Sequence, residues 1–354
     1  MSQETMKAIV YHGPHDLRLE QLPLPEIAPD EALLRVGSSS ICGTDLRIRH
    51  GEHRLYPAGT VRIPGHEVAG EIVAVGSAVQ DLASGSKIFV APNMGCGHCP
   101  QCISGRNNLC ANYTALGINI DGSFAEYLRI PAAAIKQGNL IPLGGNLDPA
   151  EAALIEPFAC VLHGQDAVKV GVGDVVLVVG AGPIGIMHAL LARLRGASQV
   201  IVSELIPERA AQARQIDVDQ VVNPRQEDLP GIIAARTGGR GADVILIAAP
   251  AHIAQEQALD LAAIGGRINF FGGLPKDRPT ITFNSNTVHY KELVVTGTTA
   301  CSTHDCWRAA EIVLSRRVSL APMISARFPL DKYTQAFALA EDRGALKVVF
   351  DPSM

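Results

Sequence analysis

The sequence lacks what would take it to nucleic acid or to a membrane. Its 30 Lys and Arg against 35 Asp and Glu give a formal charge of −5, with no basic surplus for phosphate backbones or anionic headgroups. No apolar core follows a basic start in "MSQETMKAIV", so no export signal is expected. The uncharged run "VVLVVGAGPIGIMHALLA" has 18 residues, but three glycines and a proline interrupt it. That predicts strand, turn and buried helix rather than a membrane span. Internal repeats and low-complexity tracts are absent. Cysteine is sparse, at eight in 354 residues, and without an export signal a reducing cytoplasm is the expected compartment. With 47% hydrophobic and 18% charged residues, the chain can bury two cores.

Four of those eight cysteines fall in "CGHCPQCISGRNNLC", residues 96 to 110. Cys96, Cys99 and Cys102 recur every third residue, and Cys110 follows. Thiols this close are awkward to pair as disulfides, which need a set Cα separation and Cβ orientation. One Cys-x-x-Cys suits redox chemistry, but three in register plus a fourth suit a tetrahedral ion, and zinc prefers that sulfur shell. His98 lies inside the loop and is a spare ligand. The lobe, residues 95–111, has a single basic residue, Arg106, which argues against a nucleic-acid zinc ribbon.

The chain changes rhythm along its length. Up to residue 135, Gly, Pro and Ser break it into short β-rich runs such as "ALLRV", "EIVAV" and "KIFVAP", a pattern of small twisted sheets and barrels. From about residue 160 apolar strands alternate with helices: "VVLVV", "QVIVS", "DVILIA", "RINFFG" and "LVVTG". Such alternation predicts an α/β domain with a doubly wound parallel sheet. Gly180, Gly182 and Gly185 sit between its first strand and helix, where Pro183 and Ile184 also lie. The first glycine serves the turn, the second admits a pyrophosphate, and the third lets helix and strand pack. Glu204 ends the next strand, 19 residues past Gly185. A carboxylate there accepts hydrogen bonds from both ribose hydroxyls and repels a 2′-phosphate, so NAD is favoured over NADP. Arg209 lies either against adenine or beside a phosphate.

Two further fragments carry candidate ligands. "SSSICGTDLR" presents Cys42, Thr44 and Asp45, and "IPGHEVAGEIVAVGSAV" presents His66 and Glu67. With "LIEPFACVLHG" they describe one soft and several harder ligands around a metal with an open position.

On these motifs the chain resembles, over nearly its full length, the zinc-containing medium-chain dehydrogenase/reductase family, in its polyol (sorbitol-like) branch. Gly65-His66-Glu67, Gly70 and Gly76 match the family's zinc signature, and the four cysteines match its structural zinc. The resemblance implies a GroES-like β-rich catalytic domain, residues 1–157 plus 300–354, with a Rossmann domain, 158–299, inserted, and an active site in the cleft. It implies Cys42 and His66 as catalytic zinc ligands, with Glu67 or Glu156 as the third. Asp45 then fixes the His66 imidazole, and Thr44 relays the alcohol proton. Phe271, Gly272 and Gly273, with Thr298 and Thr299, match cofactor-contacting strand ends. Cys160 is expected to be core packing.

The implied activity is zinc- and NAD-dependent, reversible oxidation of a secondary alcohol of a polyol or sugar derivative. Arg47 stands where many relatives have histidine, Ile48 where sorbitol enzymes have tyrosine, and Ala300 and Cys301 where they have an Arg-Tyr pair. Recognition is therefore expected from the segment "RIRHGEHRLY", with Arg47 and Ile48 bordering the substrate beside Glu156. Arginines there either clamp an anionic group or form a solvated surface. Three other readings remain: a threonine 3-dehydrogenase-like enzyme, a dehydrogenase of a phosphorylated or acidic sugar alcohol, and a zinc-bearing binding protein that has lost activity. A homotetramer is expected, with the "LVVTG" edge strand as a pairing site.

Overall fold

Antiparallel pairing dominates the ends of the chain and parallel pairing its middle. The computed structural model describes residues 4–342 and 344–354. They divide into two units: one runs to Ala159 and resumes at Cys301, and the other is Cys160–Ala300.

In the first unit the strand Ala32–Ser40 is the hub of a seven-stranded sheet. Glu67–Val75 pairs antiparallel along one side of it, and Lys347–Phe350 pairs antiparallel beside its C-terminal end. The register sets Ser40 opposite both Glu67 and Val349. Residues distant in sequence, Cys42, Glu67 and Lys347, are thereby brought to one end of three neighbouring strands. Apolar residues on one face of this sheet, including Leu34, Val68, Ile72 and Ile88, form one core. A second core centres on Phe124, Phe337 and Phe350, with Phe124 edge-on to Phe350 at 5.1 Å. Each fully buried aliphatic or aromatic side chain in such a core stabilises by about 1.5–3 kcal/mol.

In the second unit six parallel strands run in the order Gln220–Val222, Gln199–Ser203, Val175–Val179, Ala242–Ile247, Ala262–Phe270, Val294–Gly297. "VVLVV" and "ADVILI" are buried almost throughout, as expected of strands covered on both faces. All five strands expected from the sequence are present. The short Gln220–Val222 is an addition that periodicity misses because three residues carry no period. Val294–Gly297 lies at the sheet edge. Among the described residues no helix is long and apolar enough to cross a membrane; the 18-residue uncharged run is the strand Val175–Val179 followed by the helix Pro183–Leu194.

Candidate metal and nucleotide sites

Cys42 leaves the hub strand and caps the helix Gly43–Arg49. Asp45, three residues on, accepts the Cys42 N–H at 2.8 Å through Oδ2, closing the first turn reciprocally. Its other oxygen lies 3.7 Å from Nδ1 of His66. His66 is held at the mouth of the next strand by Gly65, whose φ of +95° suits glycine, and a Cβ there would strike the Phe124 ring at 2.6 Å. With Nδ1 turned to Asp45, Nε2 is the nitrogen left for a metal.

Ligand atoms of Cys42, His66 and Glu67 lie within 4.8 Å of one another. His66 Nδ1, Asp45 Oδ1 and Glu67 Oε1 are buried without a hydrogen-bond partner. Orphaned polar atoms are costly in a folded core; His66 Nδ1 and Asp45 Oδ1 face each other, and a cation beside Glu67 Oε1 removes the cost of the third. Burial works against a charged His66, but Asp45 and Cys42 outweigh it and raise its pKa well above the ordinary value. The donor set fits zinc.

Glu156 is placed differently. Its Oε1 lies 3.7 Å from Sγ of Cys301, which in turn lies 3.5 Å from Sγ of Cys306. Its ligand atom falls in a separate group from that of Cys42, His66 and Glu67. Sequence reasoning also missed Lys347, which donates to Glu67 Oε2 at 2.6 Å while both side chains are buried. Nothing in "ALKVVF" marks this lysine; only strand register brings it to Glu67.

Thr44 Oγ1 accepts a hydrogen bond from Arg47 Nη2 at 3.2 Å. The expected substrate-bordering role of Ile48 is corrected. Ile48 is 0% exposed and packs with Tyr11, Tyr56, Ala115 and Ile118, on the inner face of a helix whose outer face carries Arg47. Arg49 and His50 are both engaged by Glu341. Burial, with Arg47 nearby, lowers His53 to about 4.

The four-cysteine loop closes on itself. The sulfurs of Cys96, Cys99, Cys102 and Cys110 lie within 4.8 Å of one another, and none is in a disulfide. Gln137 clamps the loop through both its amide atoms to Gly95, at 2.8 and 3.0 Å. The N–H groups of His98 and Cys99 lower the Cys96 thiol to about 6, whereas burial pushes Cys102 up to about 11. His98 turns Nδ1 onto the Cys96 carbonyl at 2.9 Å. Four soft donors and no spare position fit a closed zinc site.

In the second unit Gly182 caps the helix Pro183–Leu194, which also carries Ile184. Gly185 has no alternative, since a Cβ would sit 1.8 Å from the Gly180 carbonyl. Over Gly182, by contrast, a Cβ would meet only Arg209, at 3.5 Å, so the loop leaves its backbone open beside a guanidinium. Glu204 is 6% exposed, and its carboxylate accepts N–H groups from Ala181, Leu205 and Ile206 at 2.6, 2.7 and 2.8 Å. Three of roughly four lone-pair positions thus already hold backbone, which leaves less of the carboxylate for the ribose hydroxyls expected there. Phe271, Gly272 and Gly273 follow the strand Ala262–Phe270, and Thr298 and Thr299 follow Val294–Gly297, all at the C-terminal ends of parallel strands. This is the edge where such sheets bind ligands. Phe271 meets the buried His188 edge-on at 4.9 Å, and Thr298 donates to Asn269 at 3.2 Å.

A thiolate–imidazole–carboxylate centre in one unit and a dinucleotide fold in the other define a zinc- and nicotinamide-dependent oxidoreductase. The model of the alcohol dehydrogenase GroES-like domain matches residues 28–139, and that of the zinc-binding dehydrogenase domain matches residues 183–315. The chain is 33% identical to an L-threonine 3-dehydrogenase of Chelativorans sp. (strain BNC1), over 98% of each chain. It is 32% identical to the L-galactonate-5-dehydrogenase of Escherichia coli (strain K12), over 94% of each. A solved zinc-binding dehydrogenase of Sinorhizobium meliloti 1021, bound to NADP, superposes with a TM-score of 0.91 at 34% identity, covering 99% of this chain and all of that one. The protein belongs to the zinc-containing medium-chain dehydrogenase family.

Proposed function

We propose that the protein reversibly oxidises a small secondary alcohol, polyhydroxylated and bearing an anionic group, with NAD as acceptor. The observation that carries this reading is the convergence of Cys42, His66 and Glu67 around buried, unpartnered polar atoms. In this reading Cys42, His66 and Glu67 hold the catalytic zinc, and Glu156 is the alternative third donor. Zinc, when bound, polarises the alcohol oxygen and lowers its pKa. Asp45 holds the His66 ring through Nδ1, and the Thr44 hydroxyl takes the substrate proton outward. Gly180, Gly182 and the helix N-terminus receive the pyrophosphate, beside Arg209.

Arg47 supports the anionic preference. It is exposed at the helix that follows Cys42 and already touches Thr44. The substrates named for both relatives, L-threonine and L-galactonate, carry a carboxylate beside secondary hydroxyls. Threonine itself is the second reading, favoured by the 33% identity to enzymes so named. NAD preference rests on the charge of Glu204, which its three N–H partners blunt, so the preference is modest.

A homotetramer in the cytoplasm completes the reading, with the edge strand Val294–Gly297, where Val294 is exposed, as the pairing surface. The proposed catalytic domain is 1–157 plus 300–354.

Reduced-cofactor absorbance over a panel of sugar acids, phosphorylated sugar alcohols, neutral polyols and hydroxy-amino acids tests the substrate. Arg47→Gln should raise KM about tenfold for an anionic substrate, the worth of one charge-assisted hydrogen bond, and leave a neutral polyol unchanged. Equal effects on both, or turnover of simple aliphatic alcohols alone, remove the anionic reading.

A further inference from the structure

The proposed catalytic centre holds more negative charge than its metal balances. Cys42 as the metal-binding thiolate, Asp45 and Glu67 bring three negative charges against the two of zinc, and His66 binds as a neutral ligand. Water screens little of this, because Asp45 is 1% and Glu67 0% exposed. The missing positive charge comes from the far end of the chain. Lys347 Nζ donates to Glu67 Oε2 at 2.6 Å and to the carbonyl of Ile41, next to Cys42, at 2.9 Å. It is pinned between the ligand carboxylate and the ligand strand. Glu67 Oε1 has no hydrogen-bond partner, so the carboxylate has one committed oxygen and one free.

Resting on the reading of Cys42, His66 and Glu67 as metal donors, we infer that Lys347 is a positioning residue that restrains Glu67. By holding Oε2 it limits Glu67 to one offered oxygen, which preserves the open position an alcohol needs. By its charge it keeps the metal from being over-neutralised, so the ion remains a strong Lewis acid. Two effects of removing the lysine oppose each other. Loss of an orienting hydrogen bond loosens a ligand and weakens metal binding. Loss of a cation buried near a dication strengthens metal binding, and in a poorly solvated site this Coulomb effect is the larger. The result is a metal held more tightly and working less well. A lysine that merely joined the last strand to the sheet would instead alter stability and leave the metal's properties alone.

The test uses the holoenzyme with Lys347→Met, Lys347→Gln and Lys347→Arg. Zinc release to a chromophoric chelator is one readout. The spectrum of the cobalt-exchanged protein is the other, taken as the difference from Cys42→Ala, which retains only the four-cysteine metal. Glutamine keeps a donor for Oε2 without the charge, and so decides the matter if the methionine variant does not fold. For Met and Gln the expected result is zinc release slowed about tenfold or more and kcat lowered about 10- to 100-fold. KM for NAD should be unchanged, and the visible cobalt bands should weaken as coordination number rises. Arginine should restore kcat to within about threefold, since it keeps both charge and donor. Release as fast as in the unaltered protein with an unchanged cobalt spectrum overturns the inference, whatever happens to stability. If the unaltered protein itself lacks a cobalt–thiolate band in the difference spectrum, the ligand assignment fails and the inference falls with it.

Discussion

The two cysteine-bearing centres differ in how they are built. The four-cysteine loop draws all its donors from residues 96 to 110, of one chemical kind, and closes over them with a clamp from Gln137. The centre at Cys42, His66 and Glu67 mixes sulfur, nitrogen and oxygen, draws on the ends of two strands separated in sequence, and leaves buried polar atoms unpartnered. A closed set of identical soft donors is a device for stability; a mixed set with unmet valences is one for chemistry. Local donors can be fixed by a loop, whereas dispersed donors need the whole sheet to be in register. Damage to the two should therefore have opposite signatures.

The largest expected effect is at the dispersed centre. His66→Ala should lower kcat by about 10³-fold or more, because losing the Lewis acid forfeits several kcal/mol of transition-state stabilisation. The melting temperature should shift by only a few degrees. Calorimetry beside steady-state kinetics checks both, and a collapse in stability equal to the loss of activity would erase the contrast. Next comes the local centre. Cys99→Ser should cost several kcal/mol of stability, as structural zinc contributes folding energy directly. Molecules that still fold should turn over at close to the normal rate, measured per active site by titration with bound cofactor.

A smaller effect sharpens the same lesson in the nucleotide unit, where a carboxylate also has two possible uses. Glu204→Ala should narrow the gap between NAD and NADP by about fivefold, less than a free ribose acceptor would give. It should also loosen the glycine loop, because Ala181, Leu205 and Ile206 lose their acceptor. Faster exchange of the Ala181 amide, read by hydrogen exchange, would register that loosening. An unchanged cofactor ratio would assign Glu204 to the backbone alone.

The smallest effect concerns pH. Burial lowers His188 from its ordinary 6.5 to about 3, so the folded chain keeps it neutral where the unfolded chain protonates it. Its contribution is neutral above pH 6.5 and becomes increasingly destabilising as pH falls from 6.5 towards 3. The slope is at most one proton, about 1.4 kcal/mol per pH unit. His188→Leu should flatten the acid limb of the stability curve by up to that amount. Denaturant midpoints at pH 7 and pH 5 suffice, and an equal acid loss in both proteins would contradict it.

Legibility followed the same divide between local and dispersed. The four-cysteine loop, the strand–glycine–helix turn and the parallel strands were readable because each is a short, periodic or closely spaced pattern. Cys42 and His66 were readable as candidate metal ligands from their residue types, but their role as catalytic zinc ligands came from a resemblance rather than a derivation. Lys347 was invisible, since a lysine in a four-residue strand carries no sign that register will bury it against Glu67. Ile48 misled for a related reason. Its place after Cys42 says nothing about which helical face it occupies, and the face is inward. The backbone bonds of Glu204 were likewise invisible, because a sequence shows a carboxylate and not how many N–H groups it already serves.

The central claim is that the chain holds two zinc ions in two separable kinds of site. Its most direct test is metal content by mass spectrometry on the purified protein and on His66→Ala and Cys99→Ser, each checked for folding by near-ultraviolet circular dichroism. The account predicts about two zinc ions per chain for the unaltered protein and about one for each variant, with only the Cys99→Ser chain losing stability. One ion in all three proteins, or a four-cysteine loop free of zinc at undiminished stability, would contradict it.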